Sequence, residues 1–245
     1  MEVHHPHHTT HKKKWSEYLM EFLMLFLAVF LGFIAENIRE HAAEKGRAKE
    51  LLHSLVVDLK KDTTELDWLM EFRKNIRKPF LDSLYTVLNT PPEKIEKSVF
   101  YKLINRSGTY FTFLQSRGTF DQLKNAGYLR YFSDPQLLNY ISDYDFVIND
   151  NKGDEVAETR TYYEELRTPL ERNVDNNDAY NYFILGKVPG GTGVKPIKPD
   201  ILENIKSALI QCMSYNIFVL PDQLRNIKEK ATELLKYLHD AYKAG

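Results

Sequence analysis

The apolar stretch from Tyr18 to Ala35 constrains this chain more than any other feature, because water does not tolerate such a surface. A helix of 18 residues is about 27 Å long, close to the hydrocarbon thickness of a bilayer. Glu21 is the only charged residue in the stretch, and apolar side chains surround the whole circumference. A helix of a soluble protein typically carries its apolar stripe on one side only. The sequence therefore predicts a transmembrane helix over residues 18–38, with the lipid bilayer as its partner.

The flanks of this segment indicate an uncleaved anchor. A secretory signal peptide has a shorter apolar core that ends at small residues suited to cleavage, whereas this core runs into Glu36. Trp15 and Tyr18 match the aromatic belt of a membrane interface. Basic residues lie on both sides, at 12–14 and within 39–49, so their count does not decide the orientation. We expect the short N-terminal tail to stay in the cytoplasm and the long C-terminal part to be exported.

Glu21 allows two interpretations. Ala28 and Gly32 are four residues apart on nearly the same helix face, and small residues at that spacing let two helices approach closely. Glu21 would then face a second copy of this chain or another membrane protein. In the other interpretation, Glu21 reaches the nearby interface and needs no partner.

Composition excludes several classes of protein. Lys+Arg 33 and Asp+Glu 34 nearly cancel to a net charge of -1, which offers no basic field for nucleic acid. Cys212 is the single cysteine and lies in an apolar stretch, which predicts a core residue and excludes a disulfide framework. Residues 1–17 are predicted to be a disordered tail rich in His and Lys. Its histidines have the density of a metal-binding tract, but nothing fixes them as a site: His4, His5, His7, His8 and His11.

A long amphipathic helix is predicted to follow the anchor, over residues 39–77. Its apolar stripe recurs every three or four residues: Ala48, Leu52, Leu55, Leu59, Leu66, Leu69 and Ile76. Asp62 and Arg73 interrupt the stripe. The stripe is wide, which favours packing inside a helical domain over a two-stranded coiled coil, although self-association stays open. We expect a helical soluble domain over residues 39–245, and its first part, residues 39–77, is this stalk-like helix.

Prolines and capping signals divide the rest of the chain into further helices. Helices are predicted over 79–88, 91–104, 199–217 and 221–242, and one is predicted to begin at Thr119. Another is predicted to begin at Pro135 and to be interrupted at 149–153. It is followed by a predicted helix over 155–172 that ends near Pro169. Thr119 with Gln122 predicts a capping box, and Gly127 predicts a left-handed helix end. The aromatic segment 108–118 is expected to be a short strand or a buried loop. Residues 186–199 are expected to be a flexible loop, since their glycines lack the order of a phosphate-binding loop. The fold class is mainly α: an irregular helical bundle behind the anchor.

Two runs of sequence carry a resemblance to a known family. HKKKWSEYLMEFLMLFLAVFLGFIAENIREH, followed later by GTFDQLKNAGYLRYFSDPQLLNYISDYD, resembles an uncharacterised family, a domain of unknown function, of single-pass membrane proteins from Bacteroidota. The match covers the anchor and roughly residues 107–148. It implies a protein of the bacterial inner membrane with a mainly helical soluble part, which we expect in the periplasm. It implies no activity, substrate or catalytic residue.

The sequence predicts no catalytic, cofactor-binding or metal-binding residue, and we expect a protein that is not an enzyme. Histidines after the anchor occur only at 41, 53 and 239, without the spacing of a ligand pair. Our leading hypothesis is a membrane-anchored helical protein that acts through protein–protein contacts. An alternative is a sensor or small-ligand-binding domain, with residues 110–113 lining its pocket, and another is an enzyme with an unrecognised site. Arg117, Lys124 and Arg130 offer a polar surface, although capping and packing explain that region equally.

Overall fold

The computed structural model describes residues 14–108 and 110–243, so most of the predicted disordered tail lies outside the described residues. The chain is 83% helical and the described residues contain no strand, which confirms the mainly α prediction. The α-helices are α1 (Trp15–Phe72), α2 (Lys78–Leu88), α3 (Lys97–Arg106), α4 (Arg117–Asn125), α5 (Pro135–Arg160), α6 (Thr168–Arg172), α7 (Asn176–Phe183), α8 (Pro199–Ser214) and α9 (Leu220–Tyr242). Short 3-10 turns cover Pro92–Lys94 and Tyr128–Tyr131.

The chain divides into two compact units, residues 1–50 and 51–245. In the first unit, α1 contains an 18-residue window with a mean hydropathy of 2.3, and none of that window is buried. This helix is long and apolar enough to cross a membrane. The division falls later along the helix than the predicted end of the membrane segment at residue 38.

The second unit has its own core. α5 packs along α9, while α8 packs against α2 and against residues 161–167. Tyr162, Ile205 and Leu209 are fully buried where these elements meet. Along α9 the predicted stripe is buried, apart from half-buried Leu235: Leu224, Ile227, Ala231, Leu234 and Leu238. Burial of these apolar faces is the main source of stability for such a unit.

Three segments in the described part of the chain are π-helical: Arg73–Arg77, Thr161–Arg167 and Tyr215–Val219. Each lies between two α-helices with no loop, and each ends two residues before a proline: Pro79, Pro169 and Pro221. The proline ring clashes with the carbonyl of residue i−4 in a regular α-helix. The wider turns of a π-helix occur where that ladder is disturbed. The predicted helix starts at Pro79 and Pro221 agree with α2 and α9, which begin at Lys78 and Leu220, and the helix predicted to end at 172 does so in α6. The sequence did not predict that π-helical turns join these helices to the preceding ones without a loop.

The π-helical turn at Arg73–Arg77 also changes the face that the helix buries. The predicted stripe is buried as expected at Leu52, Leu55, Leu59, Leu66 and Leu69. The sequence predicts that Ile76 extends this stripe, but Ile76 is 47% exposed. A π-helix has more residues per turn than an α-helix, so the inward face passes from Arg73, a stripe position, to Arg77 instead of Ile76, and both arginines are buried.

Two predicted boundaries are wrong. α5 runs without a break through 149–153, because it is packed on α9 and Asn151 is buried, so tertiary contacts override the weak local preference of this polar stretch. α3 begins at Lys97 and not at Pro91. The preceding residues instead pair with the predicted loop 186–199: Gly193 N–H donates to the Ile95 carbonyl at 2.9 Å, and Lys97 N–H donates to the Gly191 carbonyl at 3.0 Å. This loop is irregular, as predicted, but its centre is held by backbone hydrogen bonds.

The helix predicted from Thr119 begins earlier. α4 starts at Arg117 with Ser116 as its N-cap, so Thr119 is inside the helix and the predicted capping box is wrong. The cause is a long-range partner: the Ser116 N–H donates to the Asp62 carboxylate at 2.8 Å. Gly127 adopts the predicted left-handed conformation, with φ of 72°. Asp134 caps α5 by accepting from Gln136 N–H at 3.0 Å, which confirms a helix start at Pro135.

We expect Gly127→Ala to destabilise the second unit by about 1–2 kcal/mol. The left-handed conformation brings a Cβ too close to the carbonyl oxygen that follows it, whereas glycine has no Cβ. Equilibrium denaturation of the full chain measures this effect. Gly153→Ala is the matched control, since Gly153 is in a helix and has open space around it, so that alanine there is expected to be neutral or stabilising. Equal effects of the two substitutions would contradict the prediction.

Candidate ligand-binding site

The three π-helical segments bring polar side chains together in the second unit. Arg73 and Arg77 come from the first segment and Tyr162 from the second, and all three are buried, while half-buried Tyr215 and Asn216 come from the third. Glu158, near the end of α5, joins them and is only 5% exposed. We call Arg73, Arg77, Glu158 and Asn216 the polar cluster. Buried charges are rare in protein interiors unless they are paired or functional, and π-helical turns are frequent at functional sites.

Hydrogen bonds link three members of the cluster, Arg73, Asn216 and Glu158, into a chain. Arg73 Nη1 donates to Asn216 Oδ1 at 2.7 Å, and Arg73 Nη2 donates to the Phe111 carbonyl at 2.8 Å. Asn216 Nδ2 donates in turn to Glu158 Oε1 at 3.2 Å and to the Cys212 carbonyl at 2.7 Å. Asn216 therefore bridges a buried cation and a buried anion that make no direct salt bridge in the described part of the chain.

Arg77 is held differently, by aromatic rings. Its guanidinium carbon is 4.0 Å from the Tyr162 ring centroid, 5.1 Å from that of Tyr110 and 5.5 Å from that of Phe80. Arg77 is 2% exposed, and none of its guanidinium nitrogens has a hydrogen-bond partner among the described residues. Cation–π attraction compensates part of the cost of burying this charge. The donors themselves are left unsatisfied, which is unusual in a native interior.

The charges of the cluster are not paired directly. Glu158 interacts electrostatically with both guanidinium groups and Glu155 with Arg73, and burial raises the pKa of Glu158 against the opposing effect of Arg73 and Arg77. Burial also lowers the pKa of Arg73, but from a value so high that the group stays protonated at neutral pH. Neither guanidinium group is hydrogen-bonded to a carboxylate among the described residues. Glu158 Oε2 and Arg73 Nε are buried without a hydrogen-bond partner in the described residues.

We expect Glu158→Gln to change the pH dependence of stability. Because the pKa of Glu158 is raised above its ordinary value of 4.5, the folded protein holds this proton more tightly than the unfolded chain does. The resulting stabilisation is complete below that ordinary value and is lost as pH rises through the raised pKa. The glutamine variant should therefore gain stability relative to the wild type as pH increases through this window.

Equilibrium denaturation at a series of pH values measures this difference. Glu164→Gln is the control, because Glu164 is exposed and forms a surface salt bridge with Arg160 at 3.1 Å. This substitution should leave the shape of the profile unchanged, because an exposed ion pair contributes little to stability. A parallel profile for Glu158→Gln as well would show that burial does not penalise the Glu158 carboxylate.

A cavity of about 320 Å³ opens beside Arg73, between the end of α1, the start of α2 and the start of α9. Its apolar lining consists of Met70, Ile217, Leu220, Pro221 and Leu224. Its polar lining consists of Asn216 and the cations Arg73, Lys74, Lys78 and Arg225. No acidic residue lines it in the described part of the chain. We call it the apolar-basic cavity, and its volume is near the lower end of the ~300–1,000 Å³ typical of ligand pockets.

A second cavity, of about 300 Å³, is lined by Glu158, Asp154, Tyr215 and Cys212 among others. The Cys212 side chain is 1% exposed, which confirms the prediction of a core residue. Burial, with Glu158 nearby, raises the pKa of its thiol to about 12, so the reactive thiolate is scarce at neutral pH. The Asn216 side chain links the linings of the two cavities. It hydrogen-bonds to Arg73, which lines the apolar-basic cavity, and to Glu158, which lines the second cavity.

The cations that the sequence offered as a polar surface are paired with neighbouring aspartates or a tyrosine. Lys124 Nζ contacts the Asp145 carboxylate at 2.5 Å, and Arg117 contacts Asp121 at 3.0 Å and Asp145 at 3.9 Å. Arg130 donates to the Tyr131 hydroxyl at 2.8 Å. These charges are already engaged within the fold, so this surface is a weaker candidate than the cavity.

Residues 110–116 of the aromatic segment form a loop, as one of its two predicted structures required, but only Phe113 of this loop is buried. It contributes to the site through packing. Tyr110 stacks against Tyr162 at 5.2 Å, and Phe111 packs edge-on against Phe72 at 5.0 Å while its carbonyl accepts from Arg73. Phe113 is buried.

Sequence reasoning missed the cluster because its members are far apart along the chain. One local signal was present: Arg73 occupies a position of the apolar stripe of the long helix, where a charge is unexpected. Glu158 and Asn216 give no comparable signal, since polar residues are common at helix surfaces.

Comparisons with known proteins add no functional information. No protein-family model matches the chain, and neither a curated protein nor a solved structure matches it significantly. Functional inference for this chain therefore rests on its fold and on the geometry of the cavity and cluster.

Proposed function

We propose that this chain is a single-pass membrane protein whose helical domain binds a small ligand without catalysing a reaction. The observation that carries the proposal is the apolar-basic cavity, where a buried arginine meets an apolar lining. Ligand sites characteristically combine apolar walls with a few oriented polar groups. Among the functions the sequence allowed, the sensor or ligand-binding domain fits this geometry best.

The membrane anchor in this proposal is supported by α1. Its most apolar window has no buried residue, which is not expected of a core helix in a soluble protein. We further propose a bacterial inner membrane, a periplasmic helical domain and membership of the Bacteroidota family that the sequence resembles. These proposals rest on the resemblance and on the flanking residues of the anchor.

Two measurements test the proposal. The full chain should stay with the membrane during alkaline carbonate extraction, whereas release into the supernatant would contradict a spanning anchor. A metabolite extract should raise the thermal unfolding midpoint of the full chain in nanodiscs, because a ligand that binds only the folded state stabilises it.

Ile217→Trp provides the matched comparison in the thermal experiment. Ile217 is partly exposed at the cavity wall, so a larger side chain there narrows the cavity without overpacking the core. The variant should fold but lose the shift in midpoint. An equal shift in both proteins would place the binding site elsewhere.

Protein–protein contact, our leading hypothesis from the sequence, is a second candidate function, and a different observation favours it. Large apolar side chains are exposed side by side at the end of α7 and just beyond it: Tyr180, Phe183, Ile184, Leu185 and Val188. A contiguous exposed apolar surface of this kind is typical of an interaction site. Its partner in this proposal is another membrane protein or a second copy of the chain.

Crosslinking in native membranes tests this second function. Ile184→Asp should abolish a discrete crosslinked partner, since a buried aspartate at an interface is strongly unfavourable. Phe146→Asp is the control, because Phe146 and Ile184 are both 67% exposed, and it should keep the partner. Retention of the same partner by Ile184→Asp would exclude residues 180–188 as the interface.

A further inference from the structure

The chemistry of the apolar-basic cavity restricts the ligand that it can hold, and this inference rests on the ligand-binding function proposed above. The cavity has cations on its polar side and apolar side chains on the other. A ligand that satisfies both sides needs a negative head and an apolar body. We propose that the cavity binds a free anionic amphiphile, a small molecule with a carboxylate or phosphate head and a short apolar chain.

The cations differ in how far they are already paired. Lys78 forms a surface salt bridge with Asp82 at 2.8 Å, and Arg225 forms one with Asp222 at 2.9 Å. Both pairs are well exposed, so they are weak and can exchange partners. Lys74 has no ion-pair partner in the described part of the chain. Arg73 bonds only to neutral groups, the Asn216 amide and the Phe111 carbonyl.

Arg73 is the anchor point for the head group. It is 8% exposed, it lines the cavity, and its Nε is a buried donor without a partner among the described residues. An anion beside the Arg73 guanidinium would form a charge-assisted hydrogen bond with it. The same anion would give this guanidinium the charged partner that its hydrogen bonds to Asn216 and Phe111 do not supply, in an interior where an unpaired charge is costly.

The volume of the cavity favours a free ligand over a membrane phospholipid. About 320 Å³ accommodates a small molecule, whereas a phospholipid with two acyl chains is much larger. Met70, Ile217 and Leu224 would contact the apolar body of the ligand.

Photolabelling of the full chain in nanodiscs tests this inference. The probes are medium-chain diazirine derivatives of a fatty acid, the matching alcohol and the matching amine, together with a diazirine derivative of an anionic phospholipid. Mass spectrometry locates the labelled residues. We expect the fatty acid to label the cavity at Met70, Ile217 or Leu224 about tenfold more than the alcohol or the amine.

Two double variants show which charges select the head group. Lys74→Gln with Arg225→Gln removes two exposed cations at the cavity and should reduce labelling by the acid several-fold. Lys152→Gln with Arg160→Gln removes two exposed cations from α5 and should leave labelling unchanged. Equal loss in both double variants would overturn the assignment of the head group to the cavity cations.

The outcomes separate this inference from the function on which it rests. Equal cavity labelling by acid and alcohol overturns the anionic class but leaves a ligand-binding cavity. Labelling by the phospholipid as strong as by the acid supports the anionic head and overturns the choice of a free ligand. Absence of cavity labelling by every probe overturns both the class and the proposed ligand-binding function.

Discussion

Asp62→Ala is expected to destabilise the helical domain by about 3–5 kcal/mol. Asp62 is 1% exposed, and both of its carboxylate oxygens are engaged: Oδ2 accepts from the Tyr144 hydroxyl at 2.7 Å, and Oδ1 accepts from the Ser116 N–H at 2.8 Å. The substitution leaves two buried donors without a partner and opens a small void. It also removes a negative charge from the N-terminus of α4, where such a charge is favourable.

Chemical denaturation of the full chain in detergent, followed by near-ultraviolet circular dichroism, measures the loss. Asp67→Ala is the matched control on the same helix, because Asp67 forms a part-exposed salt bridge with Lys228 at 2.5 Å. Asp67→Ala should lower the free energy of unfolding by no more than about 1 kcal/mol. Tyr144→Phe removes only one of the two hydrogen bonds to Asp62, so its loss of stability should lie between those of the two aspartate variants, at about 1–2 kcal/mol. Equal costs for the two aspartate variants would show that Asp62 is not a structural link.

Arg77→Ala is expected to lower the free energy of unfolding of the helical domain by about 3–5 kcal/mol, through lost packing and not through lost hydrogen bonds. The Arg77 side chain fills a space between the rings of Tyr162, Tyr110 and Phe80, and truncation leaves a cavity there. The cation–π contacts are lost together with the packing of the side chain.

Arg77→Met separates the role of the charge from the role of the volume. Methionine keeps most of the volume and removes a guanidinium whose donors have no partner in the described residues. It also removes the repulsion by which Arg77 lowers the pKa of Arg73. We therefore expect a stability within about 1 kcal/mol of the wild type, or above it. A loss as large as that of Arg77→Ala would mean that the charge itself holds this part of the core together.

The parts of the fold that depend on local pattern could be predicted from the sequence. The apolar stripe from Leu52 to Leu69 is buried, the helix start at Pro135 is capped by Asp134, and Gly127 is left-handed, since each depends on residues a few positions apart. The same local pattern makes Asp62 and Arg73 look like interruptions of the stripe. Their partners, Tyr144 and Asn216, are 82 and 143 residues away, so the function of these charges in the fold was not visible locally.

The prolines located the starts of α2 and α9 but did not reveal how these helices connect to the preceding ones. Proline normally begins or ends a helix, and Pro79, Pro169 and Pro221 lie at the starts of α2, α6 and α9, yet a π-helical turn joins each of these helices to the one before it. No local sequence rule distinguishes a proline that follows a π-helical turn from a proline that follows a loop. The candidate site depends on these turns, because they contain Arg73, Arg77, Tyr162 and Asn216, and it was therefore not predictable from the sequence.

Native mass spectrometry of the full chain, released from membranes of cells that produce it, tests the central claim most directly. We expect the wild type to carry a bound small molecule of defined mass that is lost in Ile217→Trp, while a variant of equal stability with an intact cavity, such as Phe146→Asp, retains it. A wild-type protein that carries no small molecule, or one that Ile217→Trp retains in full, would contradict the account of a ligand-binding domain built around Arg73.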